Sequence, residues 1–306
     1  MYLVLTWIVM ALLTVLASYL LLRMRSATYR QRLVAPFWRK VGLPMATDEM
    51  AAAVSRRIGY YGTGAPAGGL AGLLGCAVAL YLNPSLGSLP FIWFVLLPAT
   101  MIGIVAFEVG FSLRSSLFQQ DRESARLARP RATTVSDYVS PWRLLLAPVF
   151  VLAAIVLCAC GVVLGQVGVI DTGTFIGSPA LVMLAVALVV FFFGMSMERR
   201  ILGHRQPATD TLELAWDDAF RAETLRYLRM FETDMAWLAV AAAGRGVLLG
   251  LDAVEGTSWS LEVGDQLFVW GCLATQWLFT FGRAQSYFRY RLWPEFSTAG
   301  SGAVSG

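Results

Sequence analysis

The chain has 306 residues, of which 57% are hydrophobic and only 14% are charged, and its formal net charge is +4 at pH 7. Soluble domains carry about 25% charged residues, so this composition excludes an ordinary soluble protein and indicates a membrane protein. The one histidine and four cysteines show no spacing typical of a zinc site, so neither a metal nor another cofactor is expected.

Seven stretches are long and apolar enough to cross a bilayer core, which requires roughly 20 helical residues. They lie near residues 3–22, 65–82, 91–113, 144–165, 179–197, 235–251 and 266–282. The sequence therefore predicts an all-α, polytopic membrane helix bundle with seven transmembrane helices. Residues 1–292 are expected to form a single transmembrane helical domain, and residues 293–306 a flexible cytoplasmic tail.

The basic residues predict the orientation of these spans. If the N-terminus lies outside, the segments facing the cytoplasm contain 23 of the 24 Lys and Arg residues, and the outside segments contain none. Because cytoplasmic loops are enriched in Lys and Arg, we expect the N-terminus outside and the C-terminus in the cytoplasm. The strong preference for Arg, together with abundant Ala and Gly, suggests a bacterial protein of the cytoplasmic membrane.

The segment before the sixth span predicts an amphipathic helix over residues 212–234. Its aromatic face consists of Trp216, Phe220, Tyr227 and Phe231. Charged residues, among them Asp218 and Arg226, are expected to cover much of the remaining surface. Such a helix could dock a partner or lie on the membrane, or it could cover the cytoplasmic end of the bundle itself.

Glycines recur at helical spacing in the predicted spans, where small residues let helix backbones pack closely. The predicted packing positions are Gly64, Gly68 and Gly72, then Gly161 and Gly165, then Gly246 and Gly250. Duplication of a helical hairpin, as found in many transporters, would explain the recurrence, and so would the general abundance of glycine in membrane helices.

Arg245 is the one basic residue inside a predicted span. It lies about ten residues, or about 15 Å, from the inner end of its span, where an arginine costs about 2.5–3.5 kcal/mol to insert. Such a residue is expected to face the bundle interior or water. Glu108 and Gln276, in two other predicted spans, are its candidate partners in an intramembrane polar site. A structural ion bridge, or an arginine directed toward Asp252, are the alternatives.

Several activities are excluded by missing residues. The sequence has no GxxxxGK[ST], HExxH or GxSxG motif, and its single lysine, Lys40, lies in a predicted loop rather than in the last span. The chain therefore does not hydrolyse nucleotides at a P-loop, and it is neither a zinc protease with an HExxH motif nor a serine hydrolase with a GxSxG motif. It also has no lysine to which retinal could be attached in the last span.

Three functions remain. The first is a permease-like or transport-associated membrane subunit, working alone or with a separate ATPase or other membrane subunit. The second is a scaffold or regulator that binds a cytoplasmic or membrane partner. The third is a lipid-modifying enzyme using the cytoplasmic cluster Asp217, Asp218, Arg221 and Glu223. The basic N-terminal loop is expected to face the anionic inner leaflet of the bilayer rather than nucleic acid.

Overall fold

The computed structural model describes residues 2–44, 48–84, 96–117, 133–203, 210–255, 270–271, 273–275, 277–280 and 286–299. Every regular element within these ranges is a helix, which confirms the all-α class. We number the helices α1 (Tyr2–Arg25), α2 (Ala27–Val41), α3 (Asp48–Leu82), α4 (Leu97–Leu117), α5 (Val135–Tyr138), α6 (Pro141–Gln166), α7 (Thr172–Gly177), α8 (Ala180–Gly203), α9 (Thr211–Glu255), α10 (Tyr287–Leu292) and α11 (Pro294–Ala299).

Within the described residues, five helices are long and apolar enough to cross a membrane. They are Leu3–Arg25, Met50–Leu82, Pro141–Gln166, Ala180–Gly203 and Thr211–Val254. Their outer surfaces expose large apolar side chains, such as Leu12, Leu152 and Val189, each more than 60% exposed. Soluble proteins rarely expose extended apolar surfaces, so these helices suit a lipid environment and support a multi-pass membrane protein.

The count of seven spans stays a prediction. The predicted span at 91–113 is described only from residue 96, and α4 contributes a short apolar stretch, Ala99–Glu108. The last predicted span, 266–282, is described only at residues 270–271, 273–275 and 277–280. The second span differs in length, because α3 continues without a break from the segment predicted to be cytoplasmic through Pro66 to Leu82.

The chain divides into two compact units. The first unit comprises Met1–Val139, Arg200–Tyr227 and Gly282–Gly306, and the second comprises Ser140–Arg199 and Leu228–Phe281. Helix α9 therefore contributes its N-terminal part to the first unit and its remainder to the second.

In the first unit, glycines bring the backbones of α3 and α4 together. A Cβ atom on Gly68 would overlap the carbonyl oxygen of Gly103, and Gly72 approaches the α4 backbone in the same way. A Cβ atom on Gly64 would lie 3.1 Å from the Cα atom of Glu108. Because only a hydrogen atom fits at these positions, the glycine ridge sets where Glu108 lies against α3.

In the second unit, three residues of the connection between α6 and α8 are buried, namely Ile170, Phe175 and Ser178, although most of this connection is exposed. Phe175 of α7 is fully buried, and its ring lies against Gly161 of α6 and Gly246 of α9. Gly165 and Gly250 approach other residues of the same connection. Gly161 of α6 and Gly246 of α9 thus leave room for the ring of Phe175.

Asp171 fixes the start of this connection. Its carboxylate accepts hydrogen bonds from the backbone N–H of Thr174 at 2.7 Å and from the Thr174 hydroxyl at 2.6 Å. Its own backbone N–H donates to the carbonyl oxygen of Gly250 at 3.0 Å. The hydrogen bonds from Thr174 hold the pKa of the Asp171 carboxyl below its ordinary value. Asp171 therefore serves as the N-cap of α7 and joins it to α9.

The N-terminal half of α9 is buried on its charged side as well as on its aromatic side. The sequence predicted that charged residues would cover an exposed face, and this is wrong for Asp218 and Arg226, which are at most 3% exposed. Glu232, further along the same helix, is 1% exposed. Their burial is possible because each has a partner of complementary charge or hydrogen-bonding character within its own unit.

Candidate functional site: a cavity at Glu108

A cavity of about 240 Å³ lies within the first unit, lined by residues of α2, α3, α4 and α9. Its walls are largely apolar and include Leu33, Phe37, Ile58 and Phe220. Its polar lining consists of Lys40, Glu108, Glu223 and Tyr227. Known small-molecule sites combine apolar walls with a few placed polar groups in the same way, and this cavity lies just below their usual range of about 300–1,000 Å³.

Glu108 has unused hydrogen-bonding capacity in this cavity. Its Oε2 atom is buried and accepts no hydrogen bond from the described part of the chain. Leaving a buried carboxylate oxygen without a donor is costly, and most buried polar groups in native structures are paired. Glu108 is therefore the group in the cavity best placed to accept a hydrogen bond from a bound molecule.

The second acid of the cavity, Glu223, is already paired. Arg226 donates to it through Nη2 at 2.5 Å and through Nε at 3.0 Å, a bidentate arrangement. The Arg226 guanidinium also lies 4.5 Å from the centre of the Tyr227 ring and is only 3% exposed. The charge of Glu223 is thus balanced within the fold, and the i, i+3 spacing of this pair was visible in the sequence.

The cavity is bordered by exposed residues of α2. Among the lining residues, Pro36 and Lys40 are exposed, whereas Ile58 and Phe220 are buried. The cavity therefore opens to the surface beside α2.

Contacts between α2, α3 and α9 hold the walls in place. Phe37 stacks on Phe220 with ring centroids 5.2 Å apart. Arg57 of α3 donates to Asp217 at 2.6 Å and lies 4.5 Å from the centre of the Phe220 ring. Trp216 donates its Nε1–H to the carbonyl oxygen of residue 44 at 3.1 Å. Cation–π, ion-pair and aromatic contacts therefore converge on one turn of α9.

Asp218 stabilises the first unit on the other side of α9. It is fully buried and accepts hydrogen bonds from the Tyr138 hydroxyl and from Trp293 Nε1–H, each at 2.9 Å. Trp293 begins the segment that was predicted to be a flexible tail, but its side chain is buried. The residues that follow it, Pro294–Ala299, form a helix. The acids of the cluster suggested for lipid chemistry, Asp217, Asp218 and Glu223, are all engaged in contacts that hold the fold.

The predicted docking face of α9 is occupied by the chain itself. Trp216, Phe220 and Phe231 are at most 5% exposed, and Tyr227 is half-buried at the cavity. Side chains packed in this way present little surface to another protein, which favours the alternative in which the helix covers its own bundle.

The second unit contains a buried charge cluster that the sequence reasoning did not single out. Arg229 donates to Glu198 at 2.5 Å and to Glu232 at 2.8 Å. Asp234 accepts a hydrogen bond from the Thr275 hydroxyl. The i, i+3 spacing of Arg229 and Glu232 could have indicated their pairing, but Glu198 lies on a different helix.

The predicted intramembrane pair does not fall within one unit. Glu108 belongs to the first unit, and Arg245, which is half-buried, belongs to the second. Gln276 lies outside the described residues. The polar site formed by these three residues stays a prediction. No three His, Cys, Asp or Glu side chains of the described ranges are grouped to hold a metal ion.

No protein-family model, curated protein or solved structure matches this chain.

Proposed function

We propose that this chain is a permease-like membrane protein that binds its solute in the Glu108 cavity, on the cytoplasmic side of the membrane. The observation that carries the proposal is the buried Oε2 atom of Glu108, which lacks a donor among the described residues in a cavity with apolar walls. Acidic residues inside membrane-embedded bundles are costly and typically mark solute or ion pathways.

The proposal includes seven spans, an outside N-terminus, a cytoplasmic C-terminus and a bacterial cytoplasmic membrane. The distribution of Lys and Arg supports this orientation, and it puts the exposed basic residues of α2 against the anionic inner leaflet. The cavity, which opens beside α2, then faces the cytoplasm or the inner leaflet. Since the sequence has no P-loop, energy would come from an ion gradient or from a separate ATPase subunit.

The two other functions have less support. A scaffold or regulator would need an exposed docking surface, and the aromatic face suggested for that role is buried. A lipid-modifying enzyme would need acids available for chemistry, and Asp217, Asp218 and Glu223 already have partners.

Uptake into proteoliposomes tests the proposal. The full chain is reconstituted and presented with two aromatic probes that stay charged at neutral pH, 2-phenylethylguanidinium, which carries N–H donors, and benzylsulfonate, and whose passive leakage is slow. We expect one probe to enter down its concentration gradient faster than into protein-free vesicles, which requires neither an ion gradient nor an ATPase, and we expect this faster entry to be lost in Glu108→Gln. Asp48→Asn is the matched control, because it removes one negative charge from an exposed position in the same unit. If neither probe enters faster than in protein-free vesicles, the permease-like function is contradicted.

A further inference from the structure

We infer that the Glu108 cavity recognises an organic cation with an apolar body, whose ammonium group donates hydrogen bonds to Glu108. The inference rests on the proposed function only in taking this cavity as the binding site, and it concerns binding rather than transport.

The charge balance of the cavity favours a cation. Arg226 is held by Glu223 through two hydrogen bonds, and Lys40 is exposed. Glu108 is thus the acid whose buried oxygen still lacks a donor in the described structure. A carboxylate accepts hydrogen bonds only, and an ammonium group donates up to three, so the two are complementary in both charge and hydrogen bonding.

The walls determine the rest of the ligand. Leu33, Phe37, Ile58 and Phe220 offer apolar surface, so a ligand gains from burying a hydrocarbon or aromatic body against them. Aromatic side chains at the walls also attract cations through their ring faces. A strongly hydrated inorganic cation would gain nothing from these walls.

The same arrangement discriminates against other small molecules. An anion of equal size would meet the carboxylate of Glu108, whose buried oxygen lacks a donor among the described residues, and this is unfavourable. A neutral alcohol can donate one hydrogen bond to Glu108 but brings no charge. Selectivity for the cation is therefore expected over both analogues.

Equilibrium binding to the full chain in lipid nanodiscs tests the inference. The probes are 2-phenylethylammonium, 2-phenylethanol and 3-phenylpropionate, which share an aromatic body and differ in charge, and heats are measured by titration calorimetry against empty nanodiscs. We expect 2-phenylethylammonium to bind at least about tenfold more tightly than either analogue, since a charge-assisted hydrogen bond contributes that much.

Two variants locate the binding. Glu108→Gln is expected to weaken binding of the cation by about tenfold or more, whereas Asp48→Asn leaves it unchanged. Leu33→Trp keeps the carboxylate but fills part of the cavity from α2, and we expect it to abolish binding. Size-exclusion profiles and helical circular dichroism verify that each variant is folded.

The outcomes separate this inference from the proposed function. Equal affinity for the three probes, or undiminished binding by folded Glu108→Gln, overturns the inference. Absence of binding by the wild-type chain overturns it as well. Selective binding without uptake of any probe into proteoliposomes supports the inference but contradicts the permease-like function. Uptake of the anionic probe without binding of the cation overturns the inference but supports the permease-like function.

Discussion

Buried charges in this chain are stabilised by partners that lie far away in the sequence. Asp218 accepts hydrogen bonds from Tyr138 and Trp293, which are 80 and 75 residues away. Glu223 and Arg226, by contrast, pair within one turn of α9. Glu108 differs from these residues, since one of its oxygens has no donor in the described structure. Glu198 and Glu232 also have a buried oxygen without a hydrogen bond in the described structure, but Glu108 is the one of these three acids that lines the cavity.

Replacing Asp218 tests its structural role. Asp218→Ala removes the shared acceptor of the hydrogen bonds from the Tyr138 hydroxyl and the Trp293 indole N–H, and a buried hydrogen bond to a charged group contributes about 1.5–3 kcal/mol. We expect the C-terminal segment to detach more often, so that trypsin cleaves after Arg291 about tenfold faster or more. Glu295→Ala, at an exposed position of the same segment, serves as control.

The outcome is read from the C-terminal fragment released over time. An unchanged cleavage rate in Asp218→Ala would show that Asp218 does not hold residues 286–299 in place.

The sequence predicted some of these residues and not others, for physical reasons. Glu108 stood out because an acid inside an apolar stretch is costly wherever the chain folds. The burial of Asp218 could not be predicted, because it depends on segments that are brought together only by the tertiary fold. A helical charge pattern looks the same whether its neighbour is water or another part of the chain.

At the scale of elements, glycines decide which helices approach closely. Along α3, Gly68 lies against the α4 backbone, whereas a Cβ atom on Gly75 would meet nothing within 4 Å. Glycines at helical spacing can therefore lie either in a helix contact or on an open surface, and the sequence does not show which.

This contrast yields a matched pair of variants. Gly68→Ala forces α3 and α4 apart, because the new Cβ atom would overlap a backbone carbonyl that cannot rotate away. We expect a loss of about 1–3 kcal/mol, seen as a lower temperature of aggregation in detergent. Gly75→Ala should be neutral or stabilising by up to about 1 kcal/mol, because alanine is the better helix former.

The two variants share the same chemical change, so a difference between them reports packing rather than helix propensity. Equal stability of both would contradict close packing between α3 and α4.

The sequence predicted the long helices more reliably than it predicted how the segments between them pack. Apolar length predicts α1, α6 and α8, since a helix satisfies all its own backbone hydrogen bonds in lipid. The short helix α7 was missed because six residues are too few for a periodic signal. The burial of Phe175 depends on gaps left by Gly161 and Gly246, which the linear pattern does not reveal.

At the scale of the whole molecule, the apolar helix surfaces support a protein that crosses the membrane several times. The distribution of basic residues supports the proposed orientation of its spans. The described helices carry apolar side chains outward, which fits lipid contact. The basic residues are absent from the predicted outside segments. Together with the exposed α2 residues at the border of the Glu108 cavity, these features support our proposal that the site lies on the cytoplasmic side of a multi-pass protein.

The most direct test of this claim is labelling of Lys40→Cys at the cavity opening with a membrane-impermeant maleimide, in a background where all four native cysteines are replaced by alanine. We expect labelling only after the cells are permeabilised, and slower labelling in the presence of 2-phenylethylammonium. Val167→Cys, at a position that is 72% exposed and predicted to lie outside, should be labelled in intact cells. Labelling of Lys40→Cys in intact cells would put the cavity on the opposite side and contradict the account.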